Sequence, residues 1–136
     1  MAGFGATARI LVIDDSRDFQ VLVRTYLNGT GWTVHGAADA LQATGMALRE
    51  KPKLILLDIG LPGGDGFMLL DRLHANVHTR GIPVIVTTAQ TAAGLEAKAK
   101  AKGAQAFLQK PFEKQILLET LESVLRESAD ATNKPH

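Results

Sequence analysis

Aspartates, a threonine and a lysine follow short apolar runs in this sequence. Asp14 and Asp15 come after the first run, Asp58 after the third, Thr88 after the fourth and Lys110 after the fifth. Three carboxylates placed together repel one another and need either protons or a cation. Because oxygen donors without histidine or cysteine suit Mg²⁺, this set predicts a magnesium site. An aspartate at its centre can attack a phosphoryl group and form an aspartyl phosphate.

Lys110 and Thr88 would complete such a site. Lys110 offers a compact positive charge to phosphoryl oxygens, and Thr88 offers a hydroxyl donor. Phosphoryl transfer depends mostly on such positioning and electrostatic stabilisation. Each residue also has a structural interpretation: Asp15 as the cap of the first helix, Thr88 as an ordinary β-branched strand residue, and Lys110 as a solvated lysine. Pro111 favours a constrained Lys110, for example through a cis peptide bond.

The strands that would position these residues are predicted from five short β-type runs, at residues 10–13, 32–35, 54–57, 84–86 and 106–108. A helical pattern follows each run. Alternating strands and helices predict a parallel sheet between two layers of helices. Right-handed crossovers favour the flavodoxin-like strand order 2-1-3-4-5, a (βα)5 three-layer α/β/α fold. In that order the carboxyl ends of strands 1, 3, 4 and 5 are adjacent, so the polar residues converge on one edge.

Helical periodicity and capping residues place the five helices. The first ends at residues 28–29, the second covers residues 39–50 with Asp39 as its cap, and Asp65 caps the third. The last two are predicted over residues 91–102 and 113–126. The side chains of the third helix predicted to face the core are Leu69, Leu70, Leu73 and Val77.

Composition fits one globular domain and excludes several classes of protein. The chain has 136 residues, 46% hydrophobic and 21% charged, with a formal net charge of +1 and no cysteine. This argues against a strongly basic nucleic-acid binder, and it excludes disulfides and cysteine-ligated metals. The short apolar runs predict no membrane span, and the start lacks a signal-peptide pattern. We therefore expect a cytoplasmic domain over residues 9–127, with flexible tails at residues 1–8 and 128–136.

Four segments together resemble the receiver domains of two-component response regulators. They are ILVIDDS at residues 10–16, LDIGLPGGDG at 57–66, PVIVTTA at 83–89, and GAQAFLQKPF at 103–112. The similarity runs over about residues 9–125, nearly the whole chain. It implies a phosphoacceptor switch in a histidine-to-aspartate phosphorelay. Such a domain assists its own phosphorylation and dephosphorylation but converts no external metabolite.

The resemblance implies a role for each matching acidic residue. Asp58 accepts the phosphoryl group from a phosphohistidine on a partner histidine kinase or phosphotransfer protein. Mg²⁺ is held by Asp14, Asp15, Asp58 and the backbone carbonyl of Gly60. Lys110 is the lysine that faces the phosphoryl group.

The resemblance also implies a switch. Thr88 matches the switch hydroxyl better than Thr87 does, and Phe107 matches the switch aromatic, although Phe107 could equally be a core residue. Ala89 and Gln90 line the site. The output is expected on the surface formed by helix 4, strand 5 and helix 5, which is also a candidate homodimer contact. Three lysines of helix 4 are either a solvated face or a basic strip on that surface; they are Lys98, Lys100 and Lys102.

Two other functions stay open at this point. One is an interaction module with the same fold that acts without phosphorylation; the acidic cluster argues against it. The other is a Mg²⁺-dependent hydrolase with Asp58 as nucleophile, but the second carboxylate that aspartyl hydrolases of the haloacid type have two residues later is Gly60 here. We expect no DNA-binding segment and no direct DNA binding by this chain; its output partner is not indicated.

Overall fold

A five-stranded parallel sheet lies between two layers of helices in the computed structural model, which describes residues 8–61 and 66–133. The strand order is β2-β1-β3-β4-β5, so the predicted fold class and order are confirmed. Within those two ranges no helix is both long enough and apolar enough to cross a membrane.

Every predicted strand and helix is present. The strands are β1 (Arg9–Ile13), β2 (Thr33–Ala37), β3 (Leu54–Asp58), β4 (Val84–Thr88) and β5 (Ala106–Gln109). The helices are α1 (Arg17–Tyr26), α2 (Ala40–Glu50), α3 (Gly66–Ala75), α4 (Leu95–Ala101) and α5 (Lys114–Asn133).

The central strands are buried on both sides, as expected for a parallel sheet covered by helices. Alternate side chains of each strand therefore enter two separate cores. The α1–α5 face is the side on which strand residues pack against α1 and α5; its core includes Val12, Phe19, Val23, Leu56, Ile85, Leu108, Leu117 and Leu121. The α2–α4 face is covered by α2, α3 and α4; its core includes Ile13, Ala43, Leu57, Leu70, Val86 and Ala99.

Side chains cap the starts of the first two helices. Ser16 caps α1, because its hydroxyl oxygen accepts a hydrogen bond from the Phe19 amide at 3.1 Å. The alternative that Asp15 caps this helix is therefore wrong. Asp39 caps α2 as predicted, accepting from the Gln42 amide at 2.8 Å. The predicted cap of α3, Asp65, lies outside the described residues.

Three predicted positions near helix ends are wrong. Helix α4 begins at Leu95 and not at residue 91, because Gly94 precedes it with φ +86°, a conformation that does not belong to a helix. Val77 lies beyond the end of α3 and its surface is 64% exposed. Helix α5 continues past residue 126 to Asn133, because no glycine or proline interrupts that stretch.

Helix α3 starts in direct contact with the loop that follows β3. A Cβ atom on Gly66 would lie 2.4 Å from the Cα atom of Ile59 and 2.8 Å from the backbone oxygen of Asp58. Only glycine allows this approach. The packing ties the start of α3 to the backbone that carries Asp58.

Candidate functional site

Three carboxylates meet at the carboxyl ends of β1 and β3, which are hydrogen-bonded neighbours in the sheet. Each of Asp14, Asp15 and Asp58 contributes one carboxylate oxygen, and these three oxygens lie within 4.8 Å of one another. Asp14 is 1% exposed and Asp58 is 8% exposed, whereas Asp15 is exposed to solvent. This all-oxygen donor set with one open side fits Mg²⁺, which keeps several waters when a protein binds it.

Backbone amides fix the two buried carboxylates. Oδ1 of Asp14 accepts a hydrogen bond from the Ser16 amide at 2.8 Å. Oδ1 of Asp58 accepts one from the Gly60 amide, also at 2.8 Å. In each residue the other oxygen, Oδ2, faces Lys110. The geometry of the cluster is therefore set by the turns after β1 and β3.

Lys110 joins the two buried carboxylates. Its Nζ atom lies 2.5 Å from Oδ2 of Asp14 and 3.5 Å from Oδ2 of Asp58, and its side chain is 16% exposed. Its backbone amide donates to the Thr88 carbonyl at 2.7 Å, which extends the pairing of β4 and β5. The Lys110–Pro111 peptide bond is cis. The alternative of a solvated surface lysine is thus wrong.

The Asp14 carboxyl is subject to opposing electrostatic influences. Burial raises its pKa above the ordinary value, and the nearby Asp58 carboxylate acts in the same direction. The hydrogen bond and charge of Lys110 and the hydrogen bond from the Ser16 amide lower the pKa, but burial outweighs them. A further cation at this position would therefore stabilise the ionised form of Asp14.

Thr88 and Phe107 share the α2–α4 face. Val86 belongs to the core of that face and is the register partner of Phe107, and Thr88 lies two residues further along β4. Phe107 is partly buried against the same core. The Thr88 hydroxyl oxygen accepts from the Gln90 amide at 2.9 Å. Thr87 points to the opposite face, where its buried hydroxyl has no hydrogen-bond partner among the described residues.

Gln90 lies over the turn that follows Asp58. A Cβ atom on Gly60 would lie 3.3 Å from Nε2 of Gln90 and 3.4 Å from Oδ1 of Asp58. The carboxamide therefore lies close to the position where a side chain at residue 60 would begin. Ala89 is exposed beside it. The predicted acidic residues, together with Thr88, Ala89, Gln90 and Lys110, therefore lie at the carboxyl edge of the sheet, whereas Phe107 lies within β5.

A sequence model of the response regulator receiver domain matches residues 10–122 of this chain. The chain belongs to this family. Receiver domains are signalling modules of two-component systems and are not enzymes in the usual sense. They work with histidine kinases or phosphotransfer proteins, and they generally bind Mg²⁺ at an acidic pocket such as the one at Asp14, Asp15 and Asp58.

Curated relatives and solved structures agree with this family. The response regulator PleD of Caulobacter vibrioides is 37% identical over 120 residues, 88% of this chain but only 26% of PleD. Protein PilH of Pseudomonas aeruginosa is 34% identical over 118 residues, 87% of this chain and 98% of PilH. A CheY-like receiver domain protein of Methanospirillum hungatei superposes with a TM-score of 0.83 at 28% identity, covering 91% of this chain and 98% of that one. The receiver domain thus spans about a quarter of PleD and nearly all of PilH.

Gln20 supports the acidic turn of this receiver domain and was not predicted to do so. Its Nε2 atom donates to the backbone oxygen of Asp14 at 2.8 Å and lies 3.5 Å from that of Ala37, so it joins the ends of β1 and β2. The contact requires Gly36, since a Cβ atom there would come within 2.1 Å of Oε1 of Gln20. A glycine inside a strand was the available sequence signal.

Phe19 was not among the predicted site residues. In the receiver domain its ring lies under Lys110, with Nζ 4.1 Å from the ring centroid. The Phe19 ring also packs edge to face against the ring of Phe112, with 5.8 Å between the centroids and 82° between the ring planes. Helical periodicity indicates burial, but it carries no information on which residue of another element covers the ring.

The lysines of α4 do not form a free basic strip. Each contacts a group of its own chain, Lys98 the ring of Phe67 at 4.3 Å, Lys100 the Glu96 carboxylate at 3.0 Å, and Lys102 the Asp71 carboxylate at 3.0 Å. A groove of about 300 Å³ between α4, β5 and α5 is instead lined by three carboxylates and one lysine: Glu96, Glu119, Glu127 and Lys100. This surface of the receiver domain is acidic.

Proposed function

We propose that Asp58 of this receiver domain accepts a phosphoryl group from a phosphohistidine of a partner histidine kinase or phosphotransfer protein. A carboxylate oxygen of Asp58 forms the new bond to phosphorus while the phosphorus–nitrogen bond breaks, and the leaving imidazole takes a proton from solvent. The observation that carries the proposal is the meeting of three aspartates within 4.8 Å, with Lys110 in contact with the two buried ones.

We propose Mg²⁺ as the cation of this cluster, held by Asp14, Asp15, Asp58 and the backbone carbonyl of Gly60. The short spacing of the carboxylate oxygens supports a divalent cation here. When bound, the ion neutralises negative charge on the transferred phosphoryl group. The chain itself fixes the direction of the carboxylates through the Gly60 and Ser16 amides.

Lys110 and Thr88 receive the remaining phosphoryl oxygens in this proposal. The Lys110 ammonium already lies 3.5 Å from Asp58 and can donate to an oxygen of the group bound there. The Thr88 hydroxyl accepts from the Gln90 amide and keeps its own proton free to donate. Gln90 and Gly60 border the position from which water would attack the aspartyl phosphate, so they are expected to set its lifetime.

The response is proposed to reach the surface through Phe107. Thr88 and Phe107 lie on the same face of neighbouring strands, and Phe107 also lines the groove between α4, β5 and α5. A Thr88 hydroxyl that turns toward the phosphoryl group leaves space for the ring to move inward. The shape of the groove would then change when Asp58 carries the phosphoryl group.

The proposed output partner binds at this groove. The charges on its walls, Glu96, Glu119 and Glu127 against Lys100, favour a partner segment with basic residues over a second copy of the same face. Homodimerisation through this surface is the competing proposal. Sedimentation of the phosphorylated receiver domain at several concentrations separates the two, because a homodimer gives a concentration-dependent increase in mass.

Phosphorylation with acetyl phosphate and Mg²⁺ tests the central proposal. Intact-protein mass spectrometry is expected to show the gain of one phosphoryl group in the wild type. Asp58→Asn and Asp58→Ala are expected to show no gain, whereas Asp18→Asn, an exposed aspartate of α1, serves as the matched control and keeps the gain.

Two further outcomes would decide against this reading. A folded wild type that gains no phosphoryl group favours the phosphorylation-independent interaction module. Equal labelling of wild type and Asp58→Asn would place the acceptor elsewhere. Chelation of Mg²⁺ with EDTA is expected to stop the gain, and uptake that continues at the same rate would exclude the metal from the reaction.

A further inference from the structure

The ammonium of Lys110 has three neighbours, of which only two are charged. Nζ lies 2.5 Å from Asp14, 3.5 Å from Asp58 and 4.1 Å from the centroid of the Phe19 ring. An ammonium has three N–H donors and no acceptor. Two of its sides therefore face carboxylates, and another rests on an aromatic face.

The Phe19 ring is held firmly in this position. Phe19 is 9% exposed, and its backbone amide donates to the capping hydroxyl of Ser16 at the start of α1. Its ring meets Phe112 edge to face at 5.8 Å, and the backbone oxygen of Phe112 accepts a hydrogen bond from the Tyr26 hydroxyl at 3.1 Å. Helix start, ring pair and tyrosine together determine where the face of Phe19 points.

We propose that Phe19 is a positioning residue for phosphoryl transfer to Asp58, acting through a cation–π contact with Lys110. The inference rests on the proposed function, in which Lys110 donates to the phosphoryl group. The negative face of a phenyl ring attracts an ammonium. Unlike a third carboxylate, the ring adds no net negative charge beside the incoming phosphoryl group, and it does not compete for the metal.

The ring matters most when the carboxylates are engaged elsewhere. In the proposed reaction Asp58 forms a bond to phosphorus and Asp14 binds the metal, so both interact less strongly with Lys110. The contact with Phe19 is unaffected by either event. It therefore keeps the ammonium directed at the site throughout the transfer, which simple packing of an apolar side chain would not do.

Stepwise fluorination of the ring separates this electrostatic role from packing. We would incorporate 4-fluoro-, 3,5-difluoro- and 3,4,5-trifluorophenylalanine at position 19 of the full chain. Each added fluorine weakens the negative potential of the ring face with little change in size. The maximal rate of phosphorylation by acetyl phosphate with Mg²⁺ is expected to fall with each fluorine, by about three- to tenfold over the series, consistent with the strength of such contacts.

A matched control exists on the other face of the sheet. Phe67 holds the Lys98 ammonium 4.3 Å from its ring centroid, nearly the same geometry, but Lys98 has no part in the proposed reaction. The same three fluorinated residues at position 67 are expected to leave the rate unchanged. Thermal unfolding of every variant checks that the fold is retained.

Nuclear magnetic resonance supplies a readout that does not depend on turnover. The Cε protons of Lys110 are bonded next to Nζ, which lies 4.1 Å from the Phe19 ring centroid, so we expect the ring current to shift them upfield. Phe19→Leu should remove this shift and slow phosphorylation, and Phe19→Tyr should restore both. Absence of the shift in the wild type overturns the contact itself.

The outcomes distinguish this inference from the function on which it rests. A wild type that is phosphorylated while the fluorinated series stays flat overturns the role of Phe19 and leaves the proposed function intact. A wild type that takes up no phosphoryl group overturns both. A rate that falls equally for fluorination at positions 19 and 67 also overturns the inference, since it would report a general effect on the protein.

Discussion

On the α1–α5 face of the sheet, Lys110 is enclosed by two carboxylates and a buried ring that belongs to a side-chain-capped helix. On the α2–α4 face, Thr88 and Phe107 lie beside α4, a helix of seven residues with one buried side chain, Ala99, and no side-chain cap. Lys98 and the C-cap residue Lys102 connect α4 to α3 through contacts with Phe67 and Asp71, and such surface contacts contribute little to stability. The proposed phosphoryl chemistry would therefore use the tightly packed face, and the proposed response would use the weakly held α4.

The largest expected effect is on the rate of phosphorylation, which should depend on Lys110 on one face of the sheet and not on Phe107 on the other. Lys110→Ala should slow phosphorylation by acetyl phosphate about 100-fold, a loss typical of removing one positioned charge partner. Phe107→Ala should leave that rate within about twofold but abolish the phosphorylation-induced change in amide chemical shifts of α4. Lys114→Ala, an exposed lysine of α5, is the control for Lys110. Equal loss of rate at positions 107 and 110 would break the comparison.

The second prediction is that α3, unlike α4, is packed firmly against its neighbours. Gly66→Ala should lower the free energy of unfolding by about 2 kcal/mol, because its methyl group would meet backbone atoms that cannot move aside. Gly81→Ala is the matched control, since nothing lies within 4 Å of its added Cβ. Chemical denaturation measures both. Similar small costs for the two variants would show that α3 is as loosely held as α4.

The third prediction concerns the effect of the buried Asp14 carboxyl on the free energy of unfolding at different pH values. Because burial raises the pKa of Asp14, the folded protein holds that proton more tightly than the unfolded chain. The free energy of unfolding therefore falls as pH rises from the ordinary aspartate pKa to the raised one, and stays lower above it. Asp14→Asn should raise Tm at pH 7 without Mg²⁺, with a smaller change for the exposed Asp15→Asn. The advantage over wild type should close as pH falls through the raised pKa; a gap that widens on acidification contradicts it.

The smallest effect contrasts two adjacent hydroxyls on opposite faces. Thr87→Val should raise the free energy of unfolding by about 1 kcal/mol, because a buried hydroxyl without a partner among the described residues is replaced by a methyl group of similar shape. Thr88→Val removes the acceptor of the Gln90 amide and should not stabilise the protein. Urea unfolding of the two variants measures the difference, and a destabilised Thr87→Val would reveal a hydrogen bond at that position.

The order of elements and the meeting of the aspartates were predictable because each depends on a short-range pattern. Apolar runs indicated the strands, and parallel strands bring their carboxyl ends to one edge, so residues after β1 and β3 had to be neighbours. Helix propensity was less informative at the ends of α4 and α5. Alanine and lysine favoured an early start of α4, but the positive φ of Gly94 prevents it.

Contacts between side chains of different elements could not be predicted in the same way. Lys110 over Phe19 depends on the packing of α1 against the sheet and on the path of the chain after β5. The hydrogen bond from Gln20 to the Asp14 carbonyl depends on the space left by Gly36, a residue of a different element. Such pairs follow from three-dimensional packing, which periodicity does not encode.

Gly36 and Gln20 carry a consequence for how sequences of this kind can change over time. A chain with alanine or a larger residue at position 36 has no room for the carboxamide of Gln20, and a chain that loses Gln20 no longer needs glycine there. Either single step would remove the hydrogen bond from Gln20 to the Asp14 carbonyl, so substitutions at the two positions are expected to occur together. An alignment of many related chains should show positions 20 and 36 as a covarying pair, although they lie on different elements and neither touches the phosphoryl group.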